Sequence, residues 1–325
     1  MKKALICGIT GQDGAYLAEL LLKKGYEVYG TSRDAQIANF SNLKKLGIKE
    51  RVTLLSMSII DFRSVLQVLM IVKPDEVYNL AGQTSVGLSF EQPVETLESI
   101  SVGTLNLLEA IRLINKDIKF YNACSGECFG HTGDIGATEE SSFRPKSPYA
   151  VAKAAAFWEV SSYRESYGLF ACSGLLFNHE SPLRPTRFVT QKIIATACRI
   201  ADGSKEILYL GNVDISRDWG WAPEYVEAMY LMLQQLQPDD FVIATGKAYT
   251  LKQFLELTFA YLNLNWEAHV VIDDKLLRPS DHAKGLGNPQ KAQEKLNWSA
   301  KSLLPEVIQM MIAAEKNKNA AHNLA

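Results

Sequence analysis

Three glycines at three-residue spacing, in Gly8-Ile9-Thr10-Gly11-Gln12-Asp13-Gly14, follow directly on the apolar run Ala4-Leu5-Ile6-Cys7. No other feature limits the possible folds as strongly. The apolar run reads as a buried strand, and the stretch carrying Leu17, Leu20, Leu21 and Leu22 as a helix packed over it. The first glycine permits a tight turn off the strand. The second lets the backbone approach a diphosphate, and the third lets the helix pack close. The helix N-terminus then points unpaired N–H groups at that anion. Gly8, Thr10, Gly11, Gln12, Asp13 and Gly14 are therefore candidate dinucleotide contacts.

The alternation continues. Residues 3–8, 27–31, 52–57, 76–81, 119–124 and 170–177 read as strands, and 14–24, 62–73, 102–114 and 148–167 as helices. Strand and helix in turn imply an α/β fold, a doubly wound parallel sheet of Rossmann type covered on both faces. Beyond residue 177 the pattern mixes, up to an amphipathic helix over 303–316. We expect a dinucleotide-binding domain of residues 1–177 plus about 214–245, and a smaller mixed α/β substrate lobe of 178–213 plus about 246–318. Residues 319–325 are expected to fray.

With 325 residues, 47% of them apolar, the chain can bury a large core. A net charge of −2 gives no reason to expect nucleic acid or an anionic membrane as partner. The run from Ala4 to Cys7 is too short, and too soon broken by Gly8, for a signal peptide. No stretch is long enough to span a bilayer. Cys7, Cys124, Cys128, Cys172 and Cys198 lack metal-like spacing and mostly sit in apolar runs. They read as free thiols of a cytoplasmic protein, with no metal site.

NAD-binding sheets usually carry an acid at the end of the second strand to hold the ribose hydroxyls. Here that region is Gly30-Thr31-Ser32-Arg33-Asp34. Ser32 and Arg33 suit a 2′-phosphate, so the reading favours NADP over NAD, with Asp34 as the contrary feature.

Tyr149 and Lys153 stand one helical turn apart, so phenol and ammonium share a face. A phenol of pKa about 10 is a poor base at neutral pH. A neighbouring ammonium beside a cationic nicotinamide would favour the phenolate. Upstream, the strand 119–124 runs into Ser125-Gly126-Glu127, adding a hydroxyl and a carboxylate at the same sheet edge. Singly, each is an ordinary cap or loop residue. Together, Ser125, Glu127, Tyr149 and Lys153 make an oxidation site with an extra acid/base.

With these residues in view, the chain resembles the GDP-mannose 4,6-dehydratases of the extended short-chain dehydrogenase/reductase superfamily. The resemblance rests on the glycine turn, Tyr78-Asn79-Leu80-Ala81, Ser147-Pro148-Tyr149, Asn178-His179-Glu180-Ser181-Pro182, Arg217-Asp218-Trp219-Gly220, the segment from Asp240 to Gly246, and Arg278-Pro279. It implies oxidation of the hexose at carbon 4, loss of water across carbons 5 and 6, and return of hydride to carbon 6. Tyr149 would take the hydroxyl proton, Glu127 the carbon-5 proton, Ser125 would hold the 4-oxygen, and Lys153 would position the cofactor ribose and lower the Tyr149 pKa. The resemblance also implies cofactor contacts at Ser58, Leu80, Ala81, Gln83, His179 and Arg184. Substrate contacts would lie at Ser85, Asn178, Val189, Lys192, Arg217, Arg278 and Asp281.

The sequence departs from the family at several points. It has Met57-Ser58-Ile59 for Gly-Asp-Leu, Glu95 for a tyrosine, and Ser125-Gly126-Glu127 for Thr-Ser-Glu. A nucleotide-sugar 4-keto reductase or epimerase therefore stays open, as does a non-catalytic NADP-binding regulator. The resemblance also implies pairing through helices 102–114 and 148–167, giving a homodimer or a homotetramer.

Overall fold

A computed structural model describes residues 1–322. The first six strands are β1 (Lys3–Cys7), β2 (Glu27–Ser32), β3 (Thr53–Ser56), β4 (Glu76–Asn79), β5 (Lys119–Ser125) and β6 (Ala171–Leu176). Then come β7 (Asn178–Glu180), β8 (Leu208–Leu210), β9 (Ser216–Trp221) and β10 (Phe241–Ile243). The last are β11 (Ala248–Thr250), β12 (Val270–Ile272) and β13 (Lys284–Gly285).

Seven of these form one parallel sheet in the order β10-β6-β5-β4-β1-β2-β3. Helices cover both faces. One face buries Ala4, Ile6, Leu17 and Leu21 with Val226 and Met229. The other buries Leu5, Val77 and Phe120 with Leu69, Leu107 and Ile111. Residues 4–7 of β1 are wholly buried, as a strand covered on both sides must be. This is the Rossmann-type fold expected from the alternation.

The turn after β1 explains itself. Gly8 has φ +85°, and a Cβ there would stand 2.7 Å from the Leu80 carbonyl oxygen. A Cβ at Gly14 would stand 2.5 Å from the Gly8 oxygen, so the helix Gln12–Lys23 meets the strand only without a side chain. The helix Pro148–Tyr167 has the bounds expected from sequence. Ser147 accepts from the Ala150 N–H at 3.1 Å, Pro148 fills the first turn, and Gly168 ends the helix in the left-handed region.

β9 pairs with β7, β11 and β13, and β12 pairs with β8. The chain therefore rejoins the large layer at the helix Ala222–Leu233, which packs on Gln12–Lys23, rather than at residue 214. A separate core of Ile193, Trp219, Phe254, Phe259, Leu304 and Ile308 fills the second layer. The helix expected over 102–114 runs Gly103–Ile114, after a π turn at Glu98–Val102. The last helix, Leu304–His322, extends past the expected end at 316 and through the start of the tail expected to fray. Residues 323–325 lie outside the described residues.

Candidate active site

The carboxyl ends of β4, β5 and β6 open on a cavity of about 830 Å³, where parallel sheets ordinarily hold ligands. Ser125, Glu127, Tyr149 and Lys153 all line it. Ser125 is the last residue of β5, and its hydroxyl accepts from the Glu127 N–H at 3.2 Å, capping the short turn Gly126–Phe129. Tyr149 sits in the first turn of Pro148–Tyr167, with Lys153 one turn on. A second hollow of about 680 Å³ lies among Met70, Pro74, Ile114 and Lys119, at the amino ends of the strands and away from these groups.

Burial acts on this pair more strongly than charge. It pushes the Tyr149 phenol well above its usual range, with the Ser125 hydroxyl opposing. Burial also pushes the Lys153 ammonium down. Lys153 Nζ donates to the Ala123 carbonyl at 2.6 Å and lies 5.8 Å from the Tyr149 ring centre. In the chain itself, desolvation of the phenol is the larger effect on Tyr149, and Lys153 is held on the Ala123 carbonyl.

The sequence-derived cofactor residues divide into two groups. Asp13, Leu80, His179 and Arg184 line the cavity. His179 is buried, with Nε2 2.9 Å from Asp13 Oδ2 and Nδ1 2.7 Å from the Phe177 oxygen. Burial works against its charge, but the Asp13 carboxylate outweighs this and raises the imidazole, while Asp13 itself is lowered. Arg184 lies 3.3 Å from Glu180 and 3.8 Å over the Phe188 ring. Gly8, Thr10, Gly11, Gln12, Gly14, Ser32, Arg33, Ser58, Ala81 and Gln83 lie outside the cavity lining. They follow the edge formed by the glycine turn and the ends of β2, β3 and β4.

This edge suits a dinucleotide. The helix starting at Gln12 has no side-chain cap, and the two close approaches at Gly8 and Gly14 leave only backbone there. Arg33 is exposed and lies 3.8 Å from Glu95. Gln83 is turned into its own loop, donating to the Ser85 oxygen at 2.8 Å and to Thr96 Oγ1 at 3.2 Å.

Residues 5–311 match the family model described as GDP-mannose 4,6 dehydratase. The chain belongs to that family. GDP-mannose 4,6 dehydratase 1 of Arabidopsis thaliana is 46% identical over 321 residues, covering 96% of this chain and 89% of its own length. Among solved structures, UDP-glucose 4-epimerase of Thermus thermophilus in complex with NAD aligns with a TM-score of 0.85 at 26% identity, over 97% of this chain and 99% of its own. RMD of Pseudomonas aeruginosa complexed with NADPH aligns at 0.79 and 21% identity, over 98% of each chain. The last likeness bears on the fold alone.

In this member of the GDP-mannose 4,6-dehydratase family, the expected substrate residues Ser85, Asn178, Val189, Lys192, Arg217, Arg278 and Asp281 all line the cavity. Not all face it freely. Ser85 caps the helix Val86–Glu91, accepting from Leu88 at 3.3 Å. Lys192 Nζ donates to the Tyr209 oxygen at 2.7 Å. Arg217 is 4% exposed, and its guanidinium turns inward. It donates to Asp281 Oδ1, to the Ser216 oxygen at 2.9 Å and to the His282 oxygen at 3.0 Å, while Nε lies 3.6 Å from Glu127 Oε1. Arg217, expected as a substrate contact, thus stands as a brace between Glu127 and Asp281 at the cavity wall. Arg278, 3.6 Å from Asp281, remains the more exposed of the two arginines.

Sequence reasoning missed His282. It is buried and lines the cavity, with Nδ1 3.6 Å from Glu127 Oε2. The one available signal was its place beside Asp281, in a stretch already singled out for substrate contacts.

Proposed function

We propose that this chain is a GDP-mannose 4,6-dehydratase, converting GDP-mannose to its 4-keto-6-deoxy derivative. The observation that carries the reading is a phenol and a carboxylate, Tyr149 and Glu127, opening on one cavity with the Ser125 hydroxyl beside them. Family membership over nearly the whole chain supports it.

A nicotinamide bound on the glycine turn supplies what the side chains lack, a group that accepts a hydride from carbon 4 and returns one to carbon 6. Ser125 holds the 4-oxygen and Tyr149 takes the proton of the 4-hydroxyl. The 4-ketone so formed acidifies the proton on carbon 5. Glu127 removes that proton and passes it to the departing 6-hydroxyl. Two bases with different surroundings suit two successive proton abstractions. Lys153 sets the phenol's position from its anchor on Ala123. Lys192 and Arg278 are the cations for the diphosphate in this reading, Lys192 on release from the Tyr209 carbonyl.

A nicotinamide dinucleotide is the cofactor of this reading, with NADP preferred because Ser32 and Arg33 stand at the end of β2. The solved structures reported above hold NAD in one case and NADPH in the other, so the preference rests on this chain's own residues. Residues 1–177 and 222–245 carry the cofactor, and the remainder forms the lobe around the sugar nucleotide. Exposed Leu105, Val151 and Trp158, on Gly103–Ile114 and Pro148–Tyr167, favour pairing of two copies through these helices. Among the described residues no helix is long and apolar enough to cross a membrane. The free, buried cysteines suit a reducing compartment such as the cytoplasm.

Purified protein with its bound dinucleotide, given GDP-mannose, should form a product lighter by one water with no net change in reduced cofactor. Stoichiometric consumption of NADPH with a 4-keto sugar would instead make it a reductase. Tight NADP binding without turnover would make it a regulator.

A further inference from the structure

Glu127 is flanked on both oxygens. Arg217 Nε lies 3.6 Å from Oε1 and His282 Nδ1 3.6 Å from Oε2. The two flanking groups come from β9 and from the loop entering β13, which pair with each other through Gly285 and Arg217. The His282 ring is confined. It is 6% exposed, and a Cβ at Gly285 would stand 3.0 Å from its Nε2. Its own backbone carbonyl accepts from Arg217 at 3.0 Å, tying the guanidinium to the backbone that carries the ring.

We propose that His282 is a positioning residue for the Glu127 carboxylate, offering Nδ1–H to Oε2 as a neutral imidazole while Arg217 holds Oε1. This rests on the reading of Glu127 as the base acting on carbon 5. A carboxylate held at both oxygens keeps one orientation towards the cavity, and orientation is where a base gains most. A neutral donor does this without cancelling the charge that makes the carboxylate basic. The charged groups facing His282 are Glu127, Arg217, Asp281 and Arg278. Burial lowers the imidazole pKa, Arg217 and Arg278 add to the lowering, and Glu127 and Asp281 oppose it. The separation of 3.6 Å exceeds a hydrogen bond. Catalytic hydrogen bonds commonly tighten once substrate closes the site.

Two measurements test this. In the first, the holoenzyme and its His282→Val and His282→Asn variants are assayed with GDP-mannose. His282→Val should lower kcat by about 10- to 100-fold with KM within about twofold, the scale of a misplaced catalytic group. His282→Asn, whose amide replaces Nδ1–H, should recover most of the loss. A raised KM at unchanged kcat, or equal loss in both variants, would overturn the proposal.

The second measurement needs no substrate. The His282 ring nitrogens are followed by NMR through pH in the wild type and in Glu127→Gln. The wild type should show a neutral Nδ1–H form at pH 7, and its titration should fall further in Glu127→Gln. An unchanged titration would overturn the pairing. A responsive titration in a protein that does not turn over GDP-mannose would leave the pairing standing and remove the substrate assignment.

Discussion

Lys153 Nζ reaches the Ala123 carbonyl oxygen at 2.6 Å, tying the second turn of Pro148–Tyr167 to the strand that ends in Ser125. Phenol, hydroxyl and ammonium are thereby held in register by one buried bond. Lys153→Met should remove the anchor and the charge together. We expect kcat to fall at least 100-fold, on the scale of lost acid–base assistance. Melting should also shift by the equivalent of about 1–3 kcal/mol, because the buried carbonyl loses its donor. Steady-state kinetics and a thermal melt check both.

Glu127 and Tyr149 should separate the two halves of the reaction. Glu127→Gln is expected to cut product formation by about 10²–10⁴-fold while still permitting some cofactor reduction on mixing with GDP-mannose. Tyr149→Phe should abolish both. Stopped-flow absorbance of the nicotinamide, read beside product mass, distinguishes the variants. A Glu127→Gln enzyme with full activity would remove Glu127 from the mechanism.

The buried pair His179–Asp13 predicts a pH window for stability. Asp13 is lowered in the folded state, so its contribution is complete above the ordinary aspartate value of about 3.9 and fades as pH falls through the folded value. His179 is raised, so its contribution is complete below about 6.5 and fades as pH rises through the folded value. The contribution is therefore full between those two pH values. Melting temperatures of wild type and His179→Gln, compared across pH, should differ most inside that window and converge outside it.

Asp218, wholly buried on β9, joins the two layers. It accepts from the Thr245 N–H at 2.9 Å, from Thr245 Oγ1 at 2.7 Å and from the Gly246 N–H at 2.9 Å, just past β10. Asp218→Ala would leave these donors unpaired and should cost about 2–4 kcal/mol in denaturant unfolding. Asp218→Asn should cost less. Burial lifts the Asp218 carboxyl to about 6, so the neutral acid is already accessible to the fold. A raised carboxyl binds its proton more readily folded than unfolded. Its contribution to stability should therefore shrink as pH rises from about 4 to 6, and Asp218→Asn should flatten that slope.

The local chemistry of the chain could be read directly. Gly8 and Gly14 act within a turn of where they stand, so their residue types announced the turn after β1, and the helix bounds 148–167 agree with local caps at Ser147, Pro148 and Gly168. Ser125, Tyr149 and Lys153 were legible for the same reason, since strand end and helix start fix them. The parallel sheet followed from apolar runs wholly buried on two faces.

What the sequence determined by itself, then, was the sheet, the glycine turn and the placing of Ser125, Tyr149 and Lys153 at one strand end and one helix start, because each depends on neighbours a few residues away. The tertiary structure decided how those groups are held. Arg217, Asp281 and His282 lie far from Glu127 along the chain, and only the pairing of β9 with β13 brings them around its carboxylate. That pairing turns Arg217, expected as a substrate contact, inward and places an unforeseen histidine beside the Glu127 carboxylate. Charges buried in one place must satisfy one another, and which ones meet is settled by packing between the two layers.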